Sequence, residues 1–289
     1  MQHKRLTPAG PVATVLVVVV CMAVALAIRI GWPYSNVVVD GQVWFREFDG
    51  WYHMRLVDNL LANFPHTTPF DPYSFYPHGI QPPFHPLTGW LIAFLAMLAG
   101  GLTPSAHTVD MAGALYPAIL GALTIIPAYA IGRLLGGAIA GALAALALAT
   151  MPGEFLSRTL FGFTDHHATE ALFSTLTLLF LLLATRAAAA EDVTLRRLLT
   201  DGPGSAKRTL TYTAVSGVAL GLYLLGWRGG LLLLIVMLMY TLVRAVHSFV
   251  RGSGIDDVVV VCSSTALVGG LMVSPLITTH WMPALYILA

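Results

Sequence analysis

Between Met111 and Pro152 the chain carries one charged residue, Arg133. It separates two apolar runs, 110–132 and 134–152. A helix needs about 20 such residues to cross a hydrocarbon core of about 30 Å. Backbone in lipid must satisfy its own hydrogen bonds, so runs of this kind are helices. Further runs fall at 11–30, 168–187, 209–227, 229–243 and 258–279, and Trp281–Ala289 begins another apolar element. Hydrophobic residues make up 57% of the chain and charged residues 10%. A soluble domain holds about 25% charged residues. The expected fold class is therefore all-α and polytopic, with residues 1–289 forming a single transmembrane domain. No basic block points to nucleic acid. Cys21 and Cys262 each lie in an apolar run and read as small buried hydrophobes.

The first run follows Lys4 and Arg5 and is long for a signal peptide, so it reads as an uncleaved span. A long outer loop, 31–109, comes next. Within it, Trp51, Leu56, Leu60 and Leu61 recur at helical spacing, and Phe48-Asp49-Gly50 reads as a helix start with Asp49 at or near the N-cap. Prolines from Pro65 to Pro86 then forbid regular helix. The apolar run 87–101 is too short to span and reads as interfacial or re-entrant.

Orientation follows from the basic residues. With the N-terminus in the cytoplasm and 87–101 not counted as a span, Lys4, Arg5, Arg133, Arg186, Arg196, Arg197, Lys207, Arg208, Arg244 and Arg251 all fall inside. These are ten of the fifteen Lys and Arg residues, as the positive-inside rule requires. The loops that carry Asp49 and Asp165 then share the outer face.

Two polar constellations stand out. One is Arg46-Glu47-Phe48-Asp49-Gly50-Trp51-Tyr52-His53, which spacing alone explains as a helix cap with solvated neighbours. The other is Arg158 followed by Asp165-His166-His167, set between apolar runs where charge is costly. In an extended segment, residues i and i+2 point the same way. Asp165 and His167 would then face one cation, with His166 turned elsewhere. Oxygen ligands plus an imidazole suit Mn²⁺ or Mg²⁺; Zn²⁺ is less suited for want of further nitrogen or sulfur ligands. Asp49 would supply a further carboxylate. Solvated residues at a helix start are the plainer alternative. Asp71-Pro72-Tyr73 and Tyr76-Pro77-His78-Gly79 read as a rigid proline turn, and Trp227-Arg228 as an interfacial anchor.

Taken together, Glu47-Phe48-Asp49-Gly50-Trp51-Tyr52-His53-Met54-Arg55, Phe70-Asp71-Pro72-Tyr73, Tyr76-Pro77-His78-Gly79 and the Arg158/Asp165-x-His167 set resemble the catalytic subunit of oligosaccharyltransferase, most closely its archaeal form. The resemblance implies a GT-C-type transmembrane domain. It implies transfer of an oligosaccharide from a dolichyl (di)phosphate carrier to Asn in Asn-x-Ser/Thr sequons. It makes Asp49 a metal ligand that also contacts the acceptor, Asp165 and His167 the second ligand motif, and Arg158 a residue that supports catalysis. It implies Mn²⁺ or Mg²⁺ as cofactor, and lipid-linked oligosaccharide and acceptor peptide as partners. The protein would sit in the cell membrane with its active site on the outer face. Family members are much longer, with a further outer loop and a soluble C-terminal domain, so the chain reads as an N-terminal portion, whether a fragment, part of a split gene or a truncated open reading frame, with a separate C-terminal portion as one candidate partner. Competing readings are an O-mannosyltransferase-like enzyme without the metal pair, a divalent-cation transporter and an inactive membrane scaffold.

Overall fold

The structure, a computed structural model, describes residues 10–82 and 84–278. The N-terminal segment with Lys4 and Arg5, Pro83 and the stretch Trp281–Ala289 lie outside the described residues. The chain divides into two compact units, Met1–Asp58 with Leu91–Leu172, and Asn59–Trp90 with Phe173–Ala289.

The first unit starts with α1 (Pro11–Gly31), which enters on a proline at its first turn. Proline there removes an N–H that would have no helical partner. A single turn, α2 (Tyr34–Val37), leads into a small hairpin, β1 (Val38–Val39) and β2 (Gln42–Val43). Asp40 and Gly41 turn it with φ of 51° and 76°, the left-handed pair that an Asp-Gly hairpin needs. This hairpin is an addition to the single helix expected in the first loop. Then comes α3 (Phe48–Ala62). It starts one residue before Asp49, so Asp49 lies in the first turn, next to the cap. An acid there still faces the positive end of the helix dipole.

After α4 (Pro86–Gly100), α5 (Ala106–Leu123) and α6 (Ile125–Thr150) follow with only Thr124 between them. The sequence counts two spans here, 110–132 and 134–152. The structure has one 45-residue apolar helical stretch, Ala106–Thr150, which reverses at Gly137 (φ 82°). A Cβ on Gly132 would fall 2.7 Å from the Ala140 carbonyl oxygen. Eight residues of straight helix would hold those positions about 12 Å apart. The reversal therefore comes four residues after Arg133. Around α1, α5 and α6 lies a core of Cys21, Ala25, Ala122, Ile125, Tyr129, Ala145 and Ala149. The unit ends with the short α7 (Glu154–Ser157) and the first turns of α8 (His167–Ala190).

The second unit holds the rest of α8, then α9 (Leu195–Asp201), α10 (Lys207–Gly226), α11 (Leu231–Arg251) and α12 (Asp256–Thr278). Its core gathers Leu181, Ala184, Leu220, Tyr223, Met237, Val258 and Val261. Near its start, Asp71 is buried and its carboxylate accepts from Tyr73 N–H (3.0 Å) and Ser74 Oγ (2.7 Å). That is the local turn chemistry of aspartate, in keeping with the rigid-turn reading.

Among the described residues, six helical stretches are long and apolar enough to cross a membrane, with Ala106–Thr150 counted as one. Helix α4, at 15 residues, falls short of that length.

Candidate active site

The site lies within the first unit. Two loop segments meet there because backbone groups tie them together. Arg29 O accepts from Phe161 N–H, and Ala114 O accepts from Gly162 N–H, both at 2.9 Å. Gly162 O in turn accepts from Arg46 N–H at 2.9 Å. Gly162 has φ 82°, and a Cβ on it would fall 2.7 Å from a Val37 methyl, so conformation and close approach both call for glycine. Thr164 Oγ1 donates to Gly113 O at 2.9 Å and is fully buried. Tyr116 and Thr169 join their hydroxyls beside it. These bonds fix the entry of α3 against the entry of α8, and with them the acids each carries.

Asp165 is 2% exposed. Its Oδ1 faces His53 Nε2 at 3.2 Å and accepts from the His166 N–H at 2.6 Å; the His166 ring lies against the same oxygen. Its Oδ2 is 3.1 Å from His167 Nε2. Burial alone would raise the Asp165 pKa, but the hydrogen bonds from His166 and His53 outweigh it and hold the carboxyl well below the usual range.

His166 does not turn away as expected. Its ring centroid sits 4.4 Å from that of His167. The alternation rule holds for extended backbone, whereas Asp165 N–H already turns back on Phe163 O and His167 opens a helix. Side chains around a turn fan out rather than alternate.

Three ligand-type groups form here, each with atoms within 4.8 Å of one another: Glu47, Asp49 and Asp165; His53, Asp165 and His166; and His166, His167 and Glu170. Asp49 thus groups with Asp165. His167 belongs to a different triad, linked to the first through Asp165. Arg158 reaches His167 Nε2 with Nη1 and pairs with Glu154 through Nε. Its guanidinium is close enough for its charge to act on Asp165 and Glu47.

Spacing does not single out Glu47, His53 or Glu170 as ligands, and it reads His166 as turned elsewhere. His53 stands four residues after Asp49, one helical turn on and on the same face. Glu47 lies just before the helix, where no periodicity applies. Its Oε1 is buried and accepts no hydrogen bond among the described residues. Burial first, then the charges of Asp165 and Asp49, push its carboxyl up to about 7. Three carboxylates drawn together with one oxygen unsatisfied is a donor set that fits a divalent cation. Three imidazoles among the neighbours make it more nitrogen-rich than the sequence suggests, and so compatible with Zn²⁺ as well.

Fold and site together define a polytopic helical membrane protein with a carboxylate–imidazole cluster where its helices begin. The chain belongs to the oligosaccharyltransferase family: residues 15–282 match the family described as "Oligosaccharyl transferase STT3, N-terminal". It is 32% identical over 240 residues to the dolichyl-monophosphooligosaccharide–protein glycotransferase AglB of Haloferax volcanii, a match that covers 83% of this chain and 23% of that relative. A solved structure of the AglB oligosaccharyltransferase from Archaeoglobus fulgidus, in complex with an inhibitory peptide and a dolichol-phosphate, superposes with a TM-score of 0.79 at 29% identity, covering 91% of this chain and 29% of that one. A crystal structure of an Archaeoglobus fulgidus oligosaccharyltransferase with Zn and sulfate gives 0.76 at 29% identity, covering 90% and 31%. The architecture is accordingly that of the GT-C membrane fold. The chain spans less than a third of the length of each of these proteins.

Proposed function

We propose that this chain provides the membrane-embedded site of an enzyme that transfers an oligosaccharide from a dolichyl (di)phosphate carrier to the side-chain amide of Asn in Asn-x-Ser/Thr. The observation that carries this reading is the gathering of Glu47, Asp49 and Asp165 within 4.8 Å from two separate loops. The names of the relatives, and the dolichol-phosphate and peptide held by one of them, supply the substrate classes.

An amide nitrogen is a poor nucleophile because its lone pair is delocalised. Asp49 is exposed and in this reading accepts from the acceptor N–H groups, which turns the amide and frees that lone pair. Asp165 and His167, with Asp49 and the neighbouring Glu47, are the groups that would hold a divalent cation, Mn²⁺ or Mg²⁺, with Zn²⁺ a competitor. Such a cation supplies Lewis-acid stabilisation of charge on the departing phosphate oxygen. Arg158 places a permanent positive charge at the same point. His53 holds Asp165 ionised and oriented. The protein would lie in the cell membrane as a multi-pass protein with its N-terminus cytoplasmic and this cluster on the outer face, where a lipid-borne donor and a translocated acceptor can meet.

The test is Mn²⁺ binding by the chain in detergent, wild type against Asp49→Ala and Asp165→Ala. It is followed by transfer to an Asn-x-Thr peptide from a dolichyl-phosphate-linked donor. Binding that either substitution weakens roughly tenfold or more supports the reading. No binding by wild type would favour a metal-free transferase of the O-mannosyltransferase kind, or a scaffold.

A further inference from the structure

Among the described residues, Arg29 is the one arginine with no exposed surface. It lies in the last turn of α1, and no carboxylate pairs with it among the described residues. A buried charge without a counter-ion is costly, so its surroundings must offset it.

They do so with oxygens and a ring. Arg29 Nε donates to Thr159 Oγ1 at 2.9 Å. Its Nη1 donates to Ala149 O at 3.1 Å and more weakly to Ala25 O at 3.4 Å, and its Nη2 to Leu148 O at 3.0 Å. Helix α6 ends at Thr150, so Leu148 and Ala149 offer carbonyls that no later turn can satisfy. The negative end of that helix dipole favours a cation. The guanidinium also lies over the Phe155 ring, 5.2 Å from its centroid, a cation–π arrangement.

Three of the contacts made by Arg29 fall on one segment, while those to Leu148 and Ala149 tie it to the end of α6. Phe155 and Thr159 are held by the Arg29 side chain, and Phe161 N–H by the Arg29 carbonyl. Arg158 lies between the first two, and Asp165 follows four residues after the last. Gly121 leaves the room this needs, since a Cβ there would fall 2.9 Å from Arg29 Nε and 2.7 Å from Thr159 Cβ.

We propose that Arg29 is a positioning residue: it clamps segment 155–161 to the end of α6 and thereby sets Arg158 and Asp165 in the site. The inference rests on the reading of those two as site residues. Lysine cannot replace it, because an ammonium concentrates its donors on one nitrogen and cannot span three acceptors on two segments.

The experiment compares full-chain wild type, Arg29→Lys and Thr159→Val in detergent. Thr159→Val removes the hydroxyl acceptor and leaves the carbonyl contacts of Arg29, so it keeps the test open if Arg29→Lys does not fold. Two quantities are read: amide hydrogen exchange in peptides covering 155–165, with α10 as internal control, and Mn²⁺ affinity. The expected result is roughly tenfold faster exchange in 155–165, no change in α10, and roughly tenfold weaker Mn²⁺ binding. Exchange equal to wild type in both variants overturns the proposal. So does faster exchange with unchanged Mn²⁺ affinity, since that makes Arg29 structural only. If wild type binds no Mn²⁺, the metal reading fails by itself, and the exchange comparison alone decides the role of Arg29.

Discussion

Glu47 and Asp165 show how two carboxylates a few ångströms apart can be driven in opposite directions. Asp165 is surrounded by donors from His53 and His166 and stays ionised. Glu47 meets mainly other acids, and its buried Oε1 has no donor among the described residues. If this arrangement exists for a cation, Glu47→Gln removes a ligand and a repulsion together. The expected outcome is a chain that melts at a higher temperature in metal-free buffer but binds Mn²⁺ roughly tenfold more weakly. Thermal melts and titration calorimetry of the same preparation check both halves. Asp49, Arg158, Asp165 and His167 could be named from their motifs. Glu47 and His53 could not, because a lone acid before a helix and a histidine one turn along it look the same whether solvated or turned inward. Only the pairing of loop 45–46 with Gly162 shows which case holds.

Among the elements, α10 and α12 pack through small residues. Gly217 and Gly221 are four apart on α10, and a Cβ at either would fall 2.5 Å from an atom of Val268 or Met272. Close approach of this kind suits helices in lipid, where packing rather than hydrophobicity drives association. Gly217→Leu is therefore expected to destabilise the second unit by about 2 kcal/mol or more, measured as a loss in melting temperature in detergent. The start of α10 depends on a distant cap. Ala206 offers no side-chain acceptor, and Glu191 takes its place by accepting from Arg208 N–H, Thr209 N–H and Thr209 Oγ1 at 3.0, 3.1 and 2.7 Å. Burial works against ionisation of Glu191, but the Thr209 hydroxyl and these N–H groups outweigh it and lower its pKa. A depressed carboxyl contributes stability that is present above the unfolded value near 4.5 and is lost as pH falls through the folded value. Glu191→Ala should thus cost about 1 kcal/mol at neutral pH. The gap to wild type should close below about pH 4.5, as melts across pH would show. Long apolar helices were legible from run length alone. The hairpin at 38–43 was marked by Asp40-Gly41 between valines, a recognised turn signal. Its two-residue strands are too short for alternation to register, so a reading by periodicity passes over it.

At the scale of the whole chain, the apolar runs and the basic loops are what sequence conveys best, because hydrocarbon thickness and membrane charge asymmetry act on averages over many residues. The exact reversal in Ala106–Thr150 was less legible, since Gly136 and Gly137 are two of several glycines in that stretch and Arg133 is the more conspicuous break. Orientation remains a consequence of charge counting, and it makes a sharp prediction. Ser157 lies next to Arg158 and Ser253 lies between α11 and α12; both are exposed. The two native cysteines, Cys21 and Cys262, are buried, so a membrane-impermeant maleimide has little background to meet. In intact cells Ser157→Cys is expected to react, and Ser253→Cys only after permeabilisation. The reverse pattern would place Arg158 and Asp165 on the cytoplasmic side. It would remove the argument that a translocated acceptor reaches the site, while leaving the geometry of the cluster as it stands. Because the loops alternate, a single additional or missing span between these two positions would make both label alike, so the same pair of variants also tests whether an odd number of crossings separates them.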